Sequence, residues 1–142
     1  GWDTHAYQGG AVGDMARLLN GLATALATFF DDLGTHAQRV TVMVMSEFGR
    51  NVKENGNNGT DHGRGGFMML LGHGVNGGKS YGQWLGLQPD ALVDRRDLPV
   101  TVDFRQVFAE TLQHLYLFDT GKHKFFPDYR PPQRPLGLFK SA

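Results

Sequence analysis

The sequence contains no cysteine. Disulfides, thiolate-ligated zinc fingers and thiol nucleophiles are excluded with it, and any transition-metal site must be built from imidazole and carboxylate. Charge of one sign is missing too: 14 Lys and Arg balance 14 Asp and Glu, for a formal net charge of zero. Such a chain lacks the electrostatic footprint of a nucleic-acid or anionic-membrane binder, so no nucleic-acid partner is expected. No apolar run approaches the roughly 20 residues that cross a bilayer, so no membrane insertion is expected. No secretory signal and no internal repeat are visible on this chain.

What is present is a chain of 142 residues, 40% hydrophobic and 20% charged, within the globular range. It reads as one domain over 1–142 whose last part, 119–142, is an irregular proline-containing tail. Glycine is frequent, with 20 residues clustered at 56–66 and 72–86, which points to shaped loops.

Val12, Met15, Leu18, Leu19, Leu22, Leu26, Phe29, Phe30 and Leu33 recur at helical spacing and predict an amphipathic helix over about 11–33. Residues 40–45 are apolar and β-branched, and 67–71 are a second apolar run. Continuous apolar runs of this length read as strands buried on both faces, as in a parallel sheet. A second helix is expected over about 103–117, with Asp103 as its N-cap. Helix, strand, long loop, strand, long loop, helix is an α/β order. Two strands are few for such a sheet, and the chain opens abruptly on a polar motif. The expectation is therefore the C-terminal part of a larger domain, able to associate with another copy through an exposed sheet edge.

The loop at 46–66 follows a predicted strand end, where open α/β sheets bind ligands. Asp3 and His5 are two apart and point the same way in an extended segment. Asp61 and His62 lie in a glycine-flanked turn, and Glu47 follows the strand end directly. These five are the candidate metal ligands, suited to a divalent ion: zinc first, with manganese or calcium as alternatives. Each has an ordinary alternative. Asp3-Thr4-His5 can be a turn, Asp61-His62 a hydrogen-bonded loop pair, and Glu47 an ion-pair partner of Arg50 or Arg64. Arg50 and Arg64 are candidate clamps for a phosphate or sulfate group, or else loop salt bridges. Ser46 lacks the surroundings of a nucleophile and reads as structural. His73 is a second-tier candidate, His36 suits a helix C-terminus, His114 a helix boundary, and His123 reads as solvated.

Gly1-Trp2-Asp3-Thr4-His5, Ser46-Glu47-Phe48-Gly49-Arg50 and the run 59–66 together resemble a bacterial domain-of-unknown-function family, number 1501. Residues 75–79, 81–84 and 97–101 fit the same resemblance, which runs from residue 1 to about 117. That family is placed in the alkaline phosphatase and sulfatase superfamily. The resemblance implies a partial three-layer α/β sandwich, a mostly parallel sheet with flanking helices. It also implies a metal-dependent hydrolase of phosphate or sulfate esters in the full-length form, with an anionic small-molecule ester as substrate. Asp3, His5 and His62 look like metal ligands of that site, and Glu47 stands at the strand-end acidic position. Phe48 replaces a histidine there, so a second metal would lose a ligand. The resemblance further implies a periplasmic or secreted location. Two other readings stand beside the hydrolase: a non-catalytic exported protein with a remnant metal- or partner-binding site, and a structural fragment that assembles with another chain.

Overall fold

The computed structural model describes residues 1–140. Helix α1 spans Asp14–Leu33 and leads through a short 3-10 helix, Gly34–Arg39, into strand β1, Thr41–Met45. Strands β2 (Gly49–Arg50) and β3 (His62–Gly63) lie within the glycine-rich loop, followed by β4, Met68–Gly72. A 3-10 turn at Pro89–Ala91 and helix α2, Phe104–Tyr116, complete the elements. The helices fall where the 3.6-residue periodicity puts them. Asp103 caps α2, its side chain accepting the Arg105 N–H at 2.9 Å. At the other end Leu117 closes α2 in the left-handed conformation, with φ 53°. No residue of α1 is fully buried; its apolar stripe is half-covered, with Leu19 and Phe29 largely exposed.

The expected parallel sheet, and with it the three-layer alkaline-phosphatase-like sandwich, does not hold. The described strands form two separate two-stranded sheets, β1 with β4 and β2 with β3. Strand β2 pairs antiparallel with β3, Gly49 opposite Gly63 and Arg50 opposite His62. In the other sheet the last residue of β4, Gly72, lies against Val40 and Thr41 at the start of β1, which is the antiparallel sense. Two physical reasons account for the difference. A parallel pair needs a crossover, usually helical, and residues 46–67 contain no helix. Both apolar strands are also only half-buried, so their continuous apolar character does not mark two covered faces.

The chain divides into two compact units. The first comprises Gly1–Ala37, Met45–Phe67 and Leu85–Val100; the second comprises Gln38–Val44, Met68–Trp84 and the chain from Thr101 onward. In the first, Leu92 and Thr4 are buried, as is the Asp97 carboxylate. In the second, Val75, Val107 and Leu138 form the small apolar core. The tail is irregular but not loose. Val75 and Phe139 bridge in antiparallel fashion, and Glu110 of α2 accepts backbone N–H groups from Leu136, Gly137 and Leu138.

Candidate metal centre

Within the first unit, the N-terminal segment is laid against the turn 55–60. The Tyr7 N–H donates to Asn57 O, the Gln8 N–H to Asn58 O, and the Thr60 N–H to Thr4 O. Gln8 tightens the same seam, because its Oε1 accepts from the hydroxyls of both Thr4 and Thr60. A close approach at Gly59 makes this possible: any Cβ there would overlap the His5 carbonyl. The seam delivers His5 to the end of β3, where His62 starts the two-residue strand paired with Arg50.

Three ligand atoms converge there. His5 Nε2 stands 3.1 Å from His62 Nε2 and 3.1 Å from Asp3 Oδ1, and His62 Nε2 stands 3.4 Å from Asp3 Oδ1. Ligand atoms held at about 2.0–2.1 Å around a tetrahedral ion lie roughly 3.3 Å apart. The observed triangle therefore matches one face of such a polyhedron, and the donor set fits a divalent ion. Two imidazoles with one carboxylate suit zinc, manganese or iron better than calcium, which takes oxygen ligands. The ligand side chains are 41–66% exposed, so an ion reaches them without rearrangement.

The neighbours orient these ligands. His5 Nδ1 lies 2.9 Å from Asp61 Oδ1, and the same oxygen accepts from Asn55 Nδ2 at 2.9 Å. Phe48 lays its ring on His62, with centroids 4.0 Å apart and a 34° tilt. The Arg50 guanidinium donates to Asp3 Oδ1, to Thr60 O and to Trp2 O. Arg50 first, then His62 and His5, hold the Asp3 carboxyl below its ordinary value against a smaller opposing effect of desolvation. Donation from His5 first, and then from Asn55, lowers Asp61 in the same way. Both carboxylates are thus kept ionised, the form a metal ligand or its supporting group needs.

Of the five candidate ligands, the structure brings Asp3, His5 and His62 together and sets Asp61 behind His5 as its hydrogen-bond partner. Glu47 is exposed and lies outside this group. Arg50 is committed to Asp3 and backbone carbonyls. Arg64 is 61% exposed, 3.8 Å from Asp94 and 3.9 Å from the buried Asp97, with Arg96 as the nearer partner of Asp97 at 3.1 Å. The Ser46 hydroxyl donates to Phe48 O, a structural bond. In the second unit, His114 stacks on Phe139 and His123 on Phe118, while the His73 carbonyl accepts from Lys140 Nζ. Asn55 went unmarked by the sequence reasoning. Its only local signal is the pair of Asn-Gly steps, Asn55-Gly56 and Asn58-Gly59, which mark a turn without saying what the turn holds.

No curated protein and no solved structure matches the chain. A family model described as Protein of unknown function (DUF1501) matches residues 1–124, and the chain belongs to that family.

Proposed function

We propose that this chain carries a divalent-metal site, zinc first, that serves the hydrolysis of a phosphate or sulfate ester. The observation that supports this reading is the convergence of Asp3 Oδ1, His5 Nε2 and His62 Nε2 within 3.1–3.4 Å of one another. Three protein ligands leave positions open to water and substrate, the pattern of catalytic rather than structural zinc. An ion held there supplies a Lewis acid for an ester oxygen and acidifies a water molecule. The chain's own groups do the positioning. Asp61 holds the His5 ring, Phe48 holds one face of His62, and Arg50 holds Asp3 as a carboxylate. Arg64, two residues beyond His62, is the exposed guanidinium suited to an anionic ester.

A metal-binding role without turnover is the second reading. It is favoured by the hydroxyls of the flanking segments, which serve structural hydrogen bonds: Ser46 donates to Phe48 O and Thr4 to Gln8 Oε1. Calorimetric titration of Zn²⁺ into the chain is expected to show one site, lost in His62→Ala. Aryl phosphates and aryl sulfates, offered with Zn²⁺, Mn²⁺ and Ca²⁺, are then expected to be hydrolysed. Zinc bound without turnover across that panel selects the second reading, and no zinc binding by the unaltered chain ends both.

A further inference from the structure

We propose that Arg64 and Arg96, gathered on the buried Asp97 carboxylate, form the subsite that takes the tetrahedral oxyanion of a phosphate or sulfate ester beside the metal centre. The inference rests on the hydrolytic reading for its substrate, while the pairing of the two arginines stands without an ion.

The backbone brings the three residues together. Val93 and Asp97 exchange both of their backbone hydrogen bonds, at 2.9 and 3.0 Å, and close a turn in which Asp94 and Arg95 are left-handed, with φ 52° and 57°. That turn is fastened to the loop at two points. The Val52 N–H donates to Arg96 O at 3.1 Å, and the Gly65 N–H to Leu98 O at 2.9 Å. Only glycine allows the second, since a Cβ on Gly65 would stand 2.7 Å from Leu98 O and 2.9 Å from Pro99 O. Arg64 is thereby set against Asp97. Arg96 is brought near the metal centre by the same stretch of backbone. The Asn51 N–H, one residue before Val52, donates to Asp61 O at 2.9 Å, and Asp61 in turn holds His5.

The side chains show what this gathering leaves over. The Asp97 side chain is 2% exposed, so its charge has to be met by a cation. Arg96 meets it, from Nε to Oδ1 at 3.1 Å and from Nη2 to Oδ2 at 3.4 Å. Arg64 is surplus to that need. Its Nε stands 3.9 Å from Asp97 Oδ2 and its Nη2 stands 3.8 Å from Asp94 Oδ2, both too long for hydrogen bonds. One buried carboxylate thus gathers two guanidinium groups, 61% and 58% exposed, with donors unused on both. Such donors match the oxygens of phosphate and sulfate in pairs. Hydrogen bonding to Asp97 and then its charge raise the Arg96 guanidinium above its ordinary value; desolvation opposes them, and Asp94 and Asp61 add weaker pulls. The pull from Asp61 is the electrostatic counterpart of the backbone link between them.

Arg95 supplies the control. It is the next residue, 73% exposed, and its partner is Asp90 at 3.4 Å. Inorganic phosphate is titrated into the metal-free chain and followed through the arginine Nε–H resonances. Arg64 and Arg96 are expected to shift along one binding curve, and Arg95 to stay in place. Arg96→Ala should weaken phosphate binding about 10-fold, while Arg95→Ala, which removes the same charge, should leave it unchanged. Calorimetry on the zinc-loaded chain should show tighter phosphate binding than without zinc, the same loss in Arg96→Ala, and an unaltered zinc affinity in that variant. Equal losses in the two variants would reduce the effect to net charge and overturn the proposal. Phosphate binding that leaves Arg96 unshifted, or no phosphate binding at all, overturns it as well. Zinc that leaves phosphate affinity unchanged overturns the placement of the subsite beside the metal centre. Should the unaltered chain bind no zinc, the hydrolytic reading fails and the metal-free titration alone decides. Should Arg96→Ala not fold, the resonance shifts of the unaltered chain decide.

Discussion

Two irregular segments are held in opposite ways. In the first unit, Asn55, Gln8 and Arg50 tie the loop 46–66 to the N-terminal segment, and the side chains so gathered are ionisable and largely exposed. In the second unit, Glu110 ties residues 136–138 to helix α2 with a charged acceptor, and the residue so placed, Leu138, is the most buried apolar side chain of the chain's described part. The first arrangement spends backbone order on presenting groups to solvent. The second spends it on removing apolar surface from water, and that is where stability is made. An irregular segment therefore announces function less by its lack of secondary structure than by what its anchoring side chains leave facing water.

That contrast can be broken or sharpened. Zinc at a hundredfold excess over its Kd should stabilise the unaltered chain by about 2.7 kcal/mol, and this gain should vanish in His62→Ala. Thermal melts with and without the ion measure both. Glu110→Ala should cost about 2 kcal/mol in urea denaturation, because it strands three backbone N–H groups at once. Zinc affinity should stay as it was, and a joint loss of stability and zinc binding would erase the distinction drawn here. Asp103→Ala should cost about 1 kcal/mol through the lost cap of α2.

The pH dependence of that last effect has a definite sign. Arg105 lowers the Asp103 carboxyl below its ordinary value of 3.8, so its contribution is present above that value and is lost as pH falls through the lower folded-state pKa. The stability gap between Asp103→Ala and the unaltered chain should accordingly narrow below about pH 4. The smallest effect is a gain. Leu117 is exposed at φ 53°, a conformation that glycine adopts freely, and Leu117→Gly should stabilise the chain by about 0.5 kcal/mol in the same denaturation assay.

Helix α1 and helix α2 were legible because their signals are local. Leu18, Leu22 and Leu26 repeat at i, i+4 spacing, and Asp103 lies directly before the first turn it caps. Strands β1 and β4 were legible as positions for the same reason, but not as a pairing. Thr41–Met45 and Met68–Gly72 carry no mark of direction, and the helix-free loop between them argued for the antiparallel sense more strongly than their apolar runs argued for the parallel one. At the site, Asp3, His5, Asp61 and His62 were named from residue type and spacing. Glu47 was named on the same grounds, yet it lies outside the cluster, because a position one step past a strand does not determine where its carboxylate points.

By itself, then, the sequence determined the periodic elements, the absence of thiol chemistry, and an inventory of imidazoles and carboxylates in three short segments. Only the tertiary structure decided which of them meet. His5 and His62 are 57 positions apart, and they are neighbours because Asn55, Gly59 and Gln8 close a seam whose hydrogen bonds form only once distant backbone is aligned. Spacing along the chain records what is periodic within one element. It carries no record of a contact whose geometry depends on the folding of a second segment against the first.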